Sequence, residues 1–532
     1  MHFRHTAHAR RIGRRVPVPA EMRLTRTARL ELTAQGALVG LAAGALIAAY
    51  RFCLSHAEQA LRLITPWLAE RGLYIVWFAV LALIMVVVGT LMLREPDTQG
   101  SGIPQLSAEV ADRIDMSWQR VLPIKFVEGV LLALSGLSLG REGPSVLLGA
   151  MSAKAVSRGL KQNRQRERLL ATCGAAAGMS AAFHAPLTGI LFALEEVHKS
   201  FAAPLIISVM AASVVADFSS AIALGANPTI HFISFSQLPL ELYATVLVMG
   251  VISGVAGAIH NKGMFFVQEL FDSITTHVPY ARLAIPFALA GVCAFLAPDL
   301  MCGGDAIIEH VISARGESIA FLATLLVGKF VFTCICFGSG APGGTLLPLV
   351  VLGSLIGGIT GLAASTAAGI SASYVSEFCA LGIAGLFAAA IQSPVTAIVL
   401  VFELTASFDA LLAAAVVSII SYVTATMLGT EPFFEHLLAR LLGSKAVEDE
   451  EPARHEKSLD NFMVGVGSAV EGRLVSDVTW PDGVLVLTLT RADAELVAHG
   501  ETELKALDEV LVLTDGTPET EEELARLFES RA

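Results

Sequence analysis

Long runs of apolar residues constrain the fold of this chain more than any other feature of its sequence. Residues 77–93, 284–297 and 411–428 contain no charged side chain. A helix that spans a bilayer needs about 20 mainly apolar residues, so each run is long enough to cross most of a membrane. Only 16% of the chain is charged, whereas soluble domains contain about a quarter. We therefore predict an all-α polytopic protein of the cell membrane.

Glycine and proline interrupt many of the other apolar segments. The chain has 46 glycines and 21 prolines, which predicts helices that stop at mid-membrane depth. Broken helices are tolerated there only where the freed backbone groups line a cavity or contact other protein. The pattern indicates a transporter or a channel rather than a simple anchor.

Charge divides the chain into parts. Residues 1–30 contain eight arginines and a single acidic residue, Glu21, and are predicted to be a basic tail that stays in the cytoplasm. Residues 31–443 are the predicted membrane domain. Residues 444–461 are a predicted acidic linker, because Glu448, Asp449, Glu450 and Glu451 follow one another there.

The last part, residues 462–532, is predicted to be a small α+β domain in the cytosol. Short apolar runs at 484–489 and 510–513 indicate strands, and the first follows a Pro-Asp-Gly turn. A helix is predicted over 519–528, with Pro518 at its start. Both termini of the chain are then cytoplasmic.

The membrane domain contains an internal repeat. A shift of 204 residues places Lys125-Phe126-Val127 on Lys329-Phe330-Val331 and Ser135-Gly136 on Ser339-Gly340, and it also pairs Gly140, Pro144, Val146, Leu148 and Gly149 with Gly344, Pro348, Val350, Leu352 and Gly353. Further on, a shift of 208 residues pairs Gly174, Ala181, Pro186, Thr188 and Glu195 with Gly382, Ala389, Pro394, Thr396 and Glu403. Two related halves with interrupted helices are typical of secondary transporters, whose site lies where the halves meet.

Three Gly/Pro-rich loops stand out, at 100–104, 140–145 and 340–348. Glycine and proline in this order suit a loop that opens a helix. The free N–H groups and partial positive charge of a helix start bind anions. Several such starts that meet inside the membrane would hold an anion weakly enough to release it. The alternative is that these loops are plain turns between membrane spans. Three such loops in one chain favour that alternative less than a single loop would.

These loops resemble those of the CLC family of chloride channels and chloride/proton antiporters. The motif residues are Gly100, Gly102, Ile103 and Pro104 in GSGIP, Gly140, Arg141, Gly143 and Pro144 in GREGP, and Gly343, Gly344 and Pro348 in the third loop. The likeness covers residues 31–443. It implies two inverted-topology repeats of broken and tilted helices, and a homodimer with one anion pathway in each subunit.

The resemblance also implies roles for particular residues. Ser101 would coordinate a chloride ion together with the backbone amides of Thr345 and Leu346. Glu142 would be the gating carboxylate that also accepts protons. Arg141, its neighbour, would either form a structural ion pair near the outer mouth or act directly in permeation.

Two residues depart from the family pattern. Leu346 stands where phenylalanine is common, which keeps the backbone donor but changes the packing around it. Phe434 occupies the position of an anion-coordinating tyrosine, and it has no hydroxyl to donate. We expect its replacement to weaken the central chloride site.

Glu196 is the second carboxylate of interest, since it ends an apolar run and charge at membrane depth is usually functional. In antiporters that resemble this chain, the matching glutamate relays protons; a simple helix cap is the alternative. Its neighbour Glu195 has a repeat partner, Glu403, which indicates a structural role. Glu142 and Glu196 fall instead on Leu346 and Leu404, so the repeat makes both carboxylates special to one half.

Other patterns are weaker. Residues 136–140 match the GxSxG motif, which would make Ser138 a hydrolase nucleophile, but a strand–turn–helix context is missing. His184 is expected to be a packed, hydrogen-bonded histidine. Neither metal-ligand spacing nor a cofactor motif is present, and we expect no nucleic acid partner. The C-terminal domain resembles the TrkA-C type of regulatory module, which would bind a small ligand or simply dimerise.

We therefore predict a chloride/proton antiporter rather than an enzyme. A passive chloride channel of the same fold is the nearest alternative. A membrane-embedded serine hydrolase is the alternative from another class.

Overall fold

The computed structural model describes residues 26–225, 237–274, 279–313, 318–369, 371–448, 458–481, 483–491, 494–514 and 518–528. The chain divides into two units, Met1–Gly443 and Ser444–Ala532. Most of the predicted basic tail, residues 1–25, and the centre of the predicted linker, residues 449–457, lie outside the described residues.

Helices build the membrane unit in two halves. The first half contains α1 Arg26–Glu70, α2 Tyr74–Arg94, α3 Ile103–Val110, α4 Trp118–Ser135, α5 Glu142–Gly159, α6 Arg164–Phe183, α7 Pro186–Phe192 and α8 Ala203–Leu224. The second contains α9 Tyr243–Ile274, α10 Pro279–Leu296, α11 Asp305–Ser313, α12 Ile319–Gly338, α13 Leu346–Ala368, α14 Val375–Ala390, α15 Pro394–Thr405, α16 Ala410–Met427 and α17 Phe433–Glu448.

This unit contains both long and short helices. Within the described residues, eight helices are long and apolar enough to cross a membrane. Several others are too short to do so, among them α3, α7 and α11. The predicted all-α polytopic fold with broken helices is therefore confirmed. The first helix begins at Arg26, inside the predicted tail.

Proline and glycine set many of the helix ends. Pro186 and Pro394 occupy the first turns of α7 and α15, where the missing N–H would have had no partner within the helix. Gly136 ends α4 in the left-handed conformation, with φ of 76°. Gly136 is buried inside the unit, whereas Leu187 and Val395, in the first turns of α7 and α15, are exposed.

Close glycine contacts hold the helices of each half together. A Cβ atom added to Gly174 on α6 would lie 2.3 Å from the carbonyl oxygen of Gly149 on α5. The same collision recurs between α14 and α13, where a Cβ on Gly382 would lie 2.2 Å from the oxygen of Gly353. The repeat found in the sequence is thus also a repeat of packing.

The C-terminal unit contains a four-stranded antiparallel sheet and one helix. Its elements are β1 Ser458–Met463, β2 Leu485–Arg491, β3 Ala494–Val497, β4 Glu509–Thr514 and α18 Pro518–Phe528. The strand order is β1-β4-β2-β3. Val510 in β4 pairs with Phe462 of β1 and with Leu489 of β2, and a register irregularity falls between Val486 and Thr488.

The sequence predicted β2, β4 and α18 but missed the two edge strands. Strand β1 begins at Ser458, four residues before the predicted start of the domain at 462. Its residues carry little β propensity, and pairing with β4 decides their conformation. Strand β3 is short and mixed in polarity. The predicted linker is therefore shorter than 444–461.

A buried ion pair supports this sheet. Asp508 accepts hydrogen bonds from Arg491 Nη2 at 2.6 Å and from the Lys505 backbone N–H at 2.8 Å. Although burial alone would raise it, these bonds hold the pKa of Asp508 below its usual range. The carboxylate therefore stays charged at neutral pH and fixes the turn before β4.

Candidate functional site

The three Gly/Pro-rich loops meet through their backbones. The N–H of Gly140 donates to the oxygen of Gly344 at 2.6 Å, and the N–H of Gly344 donates back to Gly140 at 2.8 Å. The N–H of Gly100 donates to the oxygen of Gly340 at 3.2 Å. The loops before α3, α5 and α13 thus form one connected centre, where the two halves of the repeat touch.

Glycine is required at this centre because backbone segments of the three loops approach one another closely. A Cβ on Gly143 would lie 3.0 Å from Ser101 Cβ and 3.2 Å from Gly344 Cα. A Cβ on Gly343 would lie 2.6 Å from Leu139 Cβ. The first residue of the GSGIP motif and Gly102 both have positive φ. The motif glycines therefore bring the helix starts together.

Ser101 lies just before α3 and is buried. Its hydroxyl oxygen accepts a bond from the Ile103 N–H at 3.3 Å, so the hydroxyl hydrogen can be donated elsewhere. Thr345 and Leu346, at the start of α13, are buried as well. The first N–H groups of a helix have no partner within it. The residues predicted to bind chloride therefore lie at the starts of helices that meet at the centre.

A buried lysine in each half positions these loops. Lys125 Nζ donates to the oxygens of Thr98 at 2.6 Å and Gly100 at 2.7 Å. Lys329, its repeat partner, donates to Cys302 at 2.7 Å and also to Leu300. Lys125 therefore fixes the loop that carries Ser101. Sequence reasoning aligned the two lysines but did not foresee their targets.

Glu142 begins α5 at the same centre and is fully buried. Neither of its carboxylate oxygens has a hydrogen-bond partner among the described residues. Arg141 Nε lies 3.7 Å from Oε1 of Glu142, and Arg141 Nη2 lies 3.3 Å from Oδ2 of Asp305. Glu142 is thus a buried carboxylate at a helix start that shares Arg141 with a second carboxylate, Asp305. Asp305 was not identified from the sequence.

Glu196 lies in the π-helical segment Ala193–Val197, which continues α7. It is buried, and its Oε2 accepts a hydrogen bond from Ser393 Oγ at 2.9 Å. Both residues line an open recess of about 390 Å³, which also contains Lys199 and Glu435, an ion pair. The recess gives Glu196 a route to solvent. Ser393, just before α15, was missed because a lone serine carries no sequence signal.

Glu195 and its repeat partner, Glu403, make matching hydrogen bonds. Glu195 accepts bonds from the Thr396 N–H at 2.8 Å and Thr396 Oγ1 at 2.6 Å. Glu403 accepts the same two bonds from Thr188, at 2.7 Å and 2.6 Å. Each glutamate therefore caps the start of the opposite short helix, α15 or α7, as carboxylates do at helix starts. The geometry supports the structural role expected for Glu195.

Phe434 lies in the first turn of α17, buried in an aromatic cluster. Its ring centroid is 6.3 Å from Phe192 and 5.3 Å from Phe433. Phe433 is 5.6 Å from Phe337, whose ring comes within 4.0 Å of a Cβ added at Gly100. The cluster joins α17 to the loop of Ser101 through Phe433 and Phe337, and Phe434 contributes only an apolar surface to it.

The two residues with alternative roles are both structural. Ser138 is buried and shares a hydrogen bond of 2.8 Å with Thr333, rather than with a histidine that could activate it. His184 Nδ1 lies 2.8 Å from Asp217 Oδ1, as a hydrogen-bonded packing histidine would. The geometry of the described residues therefore offers no support for the hydrolase.

Known proteins resemble the membrane unit over most of its length. A sequence model described as "Voltage gated chloride channel" matches residues 82–426, from within α2 to within α16. The H(+)/Cl(-) exchange transporter ClcA of Yersinia pseudotuberculosis is 32% identical over 443 residues, which are 80% of this chain and 91% of that protein. ClcA of Salmonella gallinarum is 31% identical over 391 residues, 72% of this chain and 82% of that one.

Solved structures share the fold. The crystal structure of a slow cyanobacterial Cl-/H+ antiporter is 28% identical with a TM-score of 0.73, and the match covers 78% of this chain and 98% of that chain. A CLC-type fluoride/proton antiporter is 22% identical with a TM-score of 0.63, over 75% and 96% of the two chains. The second likeness concerns the fold alone.

Proposed function

This chain belongs to the voltage-gated chloride channel (CLC) family, and we propose that it exchanges chloride for protons across a membrane. One observation carries the proposal. Two of the chain's buried carboxylates are placed for such an exchange, Glu142 at the meeting point of the helix starts and Glu196 beside an open recess. One carboxylate serves as gate and proton acceptor, and the other passes protons between it and solvent.

Chloride binds at the helix starts in this mechanism. Ser101 donates its hydroxyl hydrogen, and the amides of Thr345 and Leu346 donate N–H groups, so that dipoles rather than a full cation hold the ion. Weak binding of this kind permits release. The charged carboxylate of Glu142 repels chloride in a site of low dielectric, and protonation removes that repulsion. Proton uptake and anion entry are thereby coupled.

A passive chloride channel is the second candidate, and Phe434 is the observation that favours it. The ring offers an apolar surface where a hydroxyl donor would hold the ion. A weaker central site would let chloride pass without waiting for a proton. The presence of Glu196 favours exchange over this alternative.

The two functions are separated by a flux experiment on the purified chain in liposomes. With only a chloride gradient imposed, an exchanger drives protons across the membrane against their own equilibrium. We expect proton movement that stops when the chloride gradient is abolished. Robust chloride flux without proton movement would establish the channel instead.

We propose the orientation and assembly that are typical of the family. The eight arginines of residues 1–30 support a cytoplasmic N-terminus, and we propose that the C-terminus is cytoplasmic as well. We infer a homodimer with one chloride pathway in each subunit. The exposed apolar side chains on α8 and α16, such as Phe218 and Ile419, suit contact with lipid or with a second copy. Cross-linking in membranes tests the assembly.

The C-terminal unit is proposed to regulate exchange, in the manner of a TrkA-C-type module that binds a small ligand. Its strands and its own apolar core support folding that does not depend on the transport site. A chain that ends after Glu448, the last residue of α17, should keep coupled flux and change only its regulation or its dimer stability. Complete loss of flux in a folded dimer would place the unit in the transport machinery.

A further inference from the structure

Asp305 is the repeat counterpart of Ser101. The shift of 204 residues that aligns the two halves places Asp305 on Ser101 and Thr345 on Arg141. The structure preserves this correspondence, since Lys125 binds the oxygen of Thr98 and Lys329 binds that of Cys302, which is 204 residues later. The position that carries a serine hydroxyl in one half therefore carries a carboxylate in the other.

The two repeat-related pairs differ in charge. Arg141 and Asp305 form an ion pair with 3.3 Å between Nη2 and Oδ2. Their counterparts, Thr345 and Ser101, are neutral. The arginine side chain is 14% exposed and that of Asp305 is 31% exposed, so water reaches the charged pair. The water-accessible side of this ion pair is the Arg141 mouth.

Arg141 stands between two carboxylates. Its Nε lies 3.7 Å from Oε1 of Glu142, while its Nη2 faces Asp305. Arg141 also lines a cavity of about 30 Å³ together with Tyr50 and Glu58. A volume of this size has room for about one water molecule. An anion that arrives at the Arg141 mouth therefore meets a guanidinium group whose positive charge is already partly balanced by Glu142 and Asp305.

Other charged or titratable groups surround the Arg141–Asp305 pair. Those that act on Glu142, on Arg141 or on Asp305 are Tyr50, Arg51 and Glu58 on α1 and Lys329 on α12. Glu128 on α4 is turned to Thr98 by a hydrogen bond of 3.1 Å. Of the acidic groups, Asp305 has the direct contact with the guanidinium. Removal of Asp305 should therefore leave more of the positive charge of Arg141 unbalanced than removal of the other surrounding acidic groups.

We propose that Asp305 is a positioning residue of transport, which weakens the hold of Arg141 on an incoming chloride ion and limits the pairing of Arg141 with Glu142. This inference rests on the proposed exchange function. Without Asp305, the guanidinium would attract the anion more strongly and release it more slowly. It would also favour the charged form of Glu142, so a more acidic solution would be needed to open the gate.

The test measures chloride efflux from liposomes that contain the full-length Asp305→Asn variant. Chloride concentration at the Arg141 mouth and pH are varied independently. We expect the half-saturating chloride concentration to fall roughly tenfold, the change that loss of a unit charge about 12 Å from the ion would cause at an effective dielectric of about 20. The maximal rate should fall, and the pH of half-maximal efflux should move down by about one unit.

Three variants make the result specific. Asp299→Asn removes a charge from an exposed position in the loop before α11 and should leave both midpoints unchanged. Asp305→Glu should restore the wild-type values. The double variant Asp305→Asn/Glu142→Gln should keep the change in chloride affinity and lose the shift in pH. Asp305→Ser, which copies the counterpart residue, serves if Asp305→Asn does not fold.

The outcomes separate this inference from the function on which it rests. If wild-type protein exchanges chloride for protons and Asp305→Asn has unaltered midpoints, the inference is wrong and the function stands. If Asp299→Asn produces the same shifts, the effect belongs to surface charge and the inference is again wrong. If wild-type protein shows no coupled flux, the proposed function itself fails.

Discussion

The two halves of the membrane unit share the contacts that hold the fold and differ in the groups that carry charge to the site. Lys125 and Lys329 bind corresponding loop oxygens, and Glu195 and Glu403 cap each other's short helices. Glu142, by contrast, corresponds to Leu346. The comparison predicts that the side-chain contacts kept in both halves hold the fold, whereas the carboxylates special to one half carry proton transfer.

The largest expected effect comes from removing a shared contact. Lys125→Met and Lys329→Met each leave two carbonyl oxygens without their donor, and each unsatisfied buried acceptor costs about 1–3 kcal/mol. We expect both variants to lose thermal stability in detergent to a similar degree. Lys262→Met, at an exposed lysine of α9, is the control and should be neutral. If one buried lysine were dispensable, the halves would not be structurally equivalent.

The second prediction concerns the reciprocal caps. Thr188→Val and Thr396→Val keep the side-chain shape but remove the hydroxyl that donates to Glu403 or Glu195. A hydrogen bond to a charged group is worth about 1.5–3 kcal/mol, so both variants should unfold at similarly lower temperatures. The ratio of chloride to proton flux should remain that of wild type. A changed ratio in Thr396→Val alone would assign Glu195 to the proton path.

The smallest effect is expected at Ser393, whose hydroxyl bonds Glu196 in one half only. Ser393→Ala should lower stability no more than Thr188→Val does and slow proton flux about tenfold, since one hydrogen bond to a carboxylate is worth about 1.5 kcal/mol. Chloride flux should fall less. The measurement is parallel recording of both fluxes in liposomes. Equal slowing of the two would mean that Ser393 supports the fold rather than the proton path.

Much of this architecture could be predicted from the sequence because each signal is local. Apolar runs determined the spans, and the Gly/Pro loops determined the helix starts of α3, α5 and α13. The repeat exposed Glu142 and Glu196 as special to one half. The positions of β2 and β4 in the C-terminal unit followed from the turn before β2 and from the apolar run of β4.

The remaining features depend on contacts between distant segments. Ser393 binds Glu196 across 197 positions of sequence, and Asp305 binds Arg141 across 164. Neither residue type is unusual at its position, so only the folded chain shows its partner. The alignment at 204 residues did contain the signal for Asp305, because it falls on Ser101. Edge strand β1 was missed since its pairing with β4, rather than its composition, determines it.

One measurement tests the central claim that Glu142 and Glu196 have separate tasks. Chloride efflux and proton flux are recorded in parallel across a pH series for Glu142→Gln and Glu196→Gln in liposomes. We predict that Glu142→Gln conducts chloride without pH dependence or proton coupling, because its neutral side chain resembles the protonated gate. Glu196→Gln should lose proton flux while acid still accelerates its chloride efflux. Full proton coupling in the Glu142 variant would contradict the account.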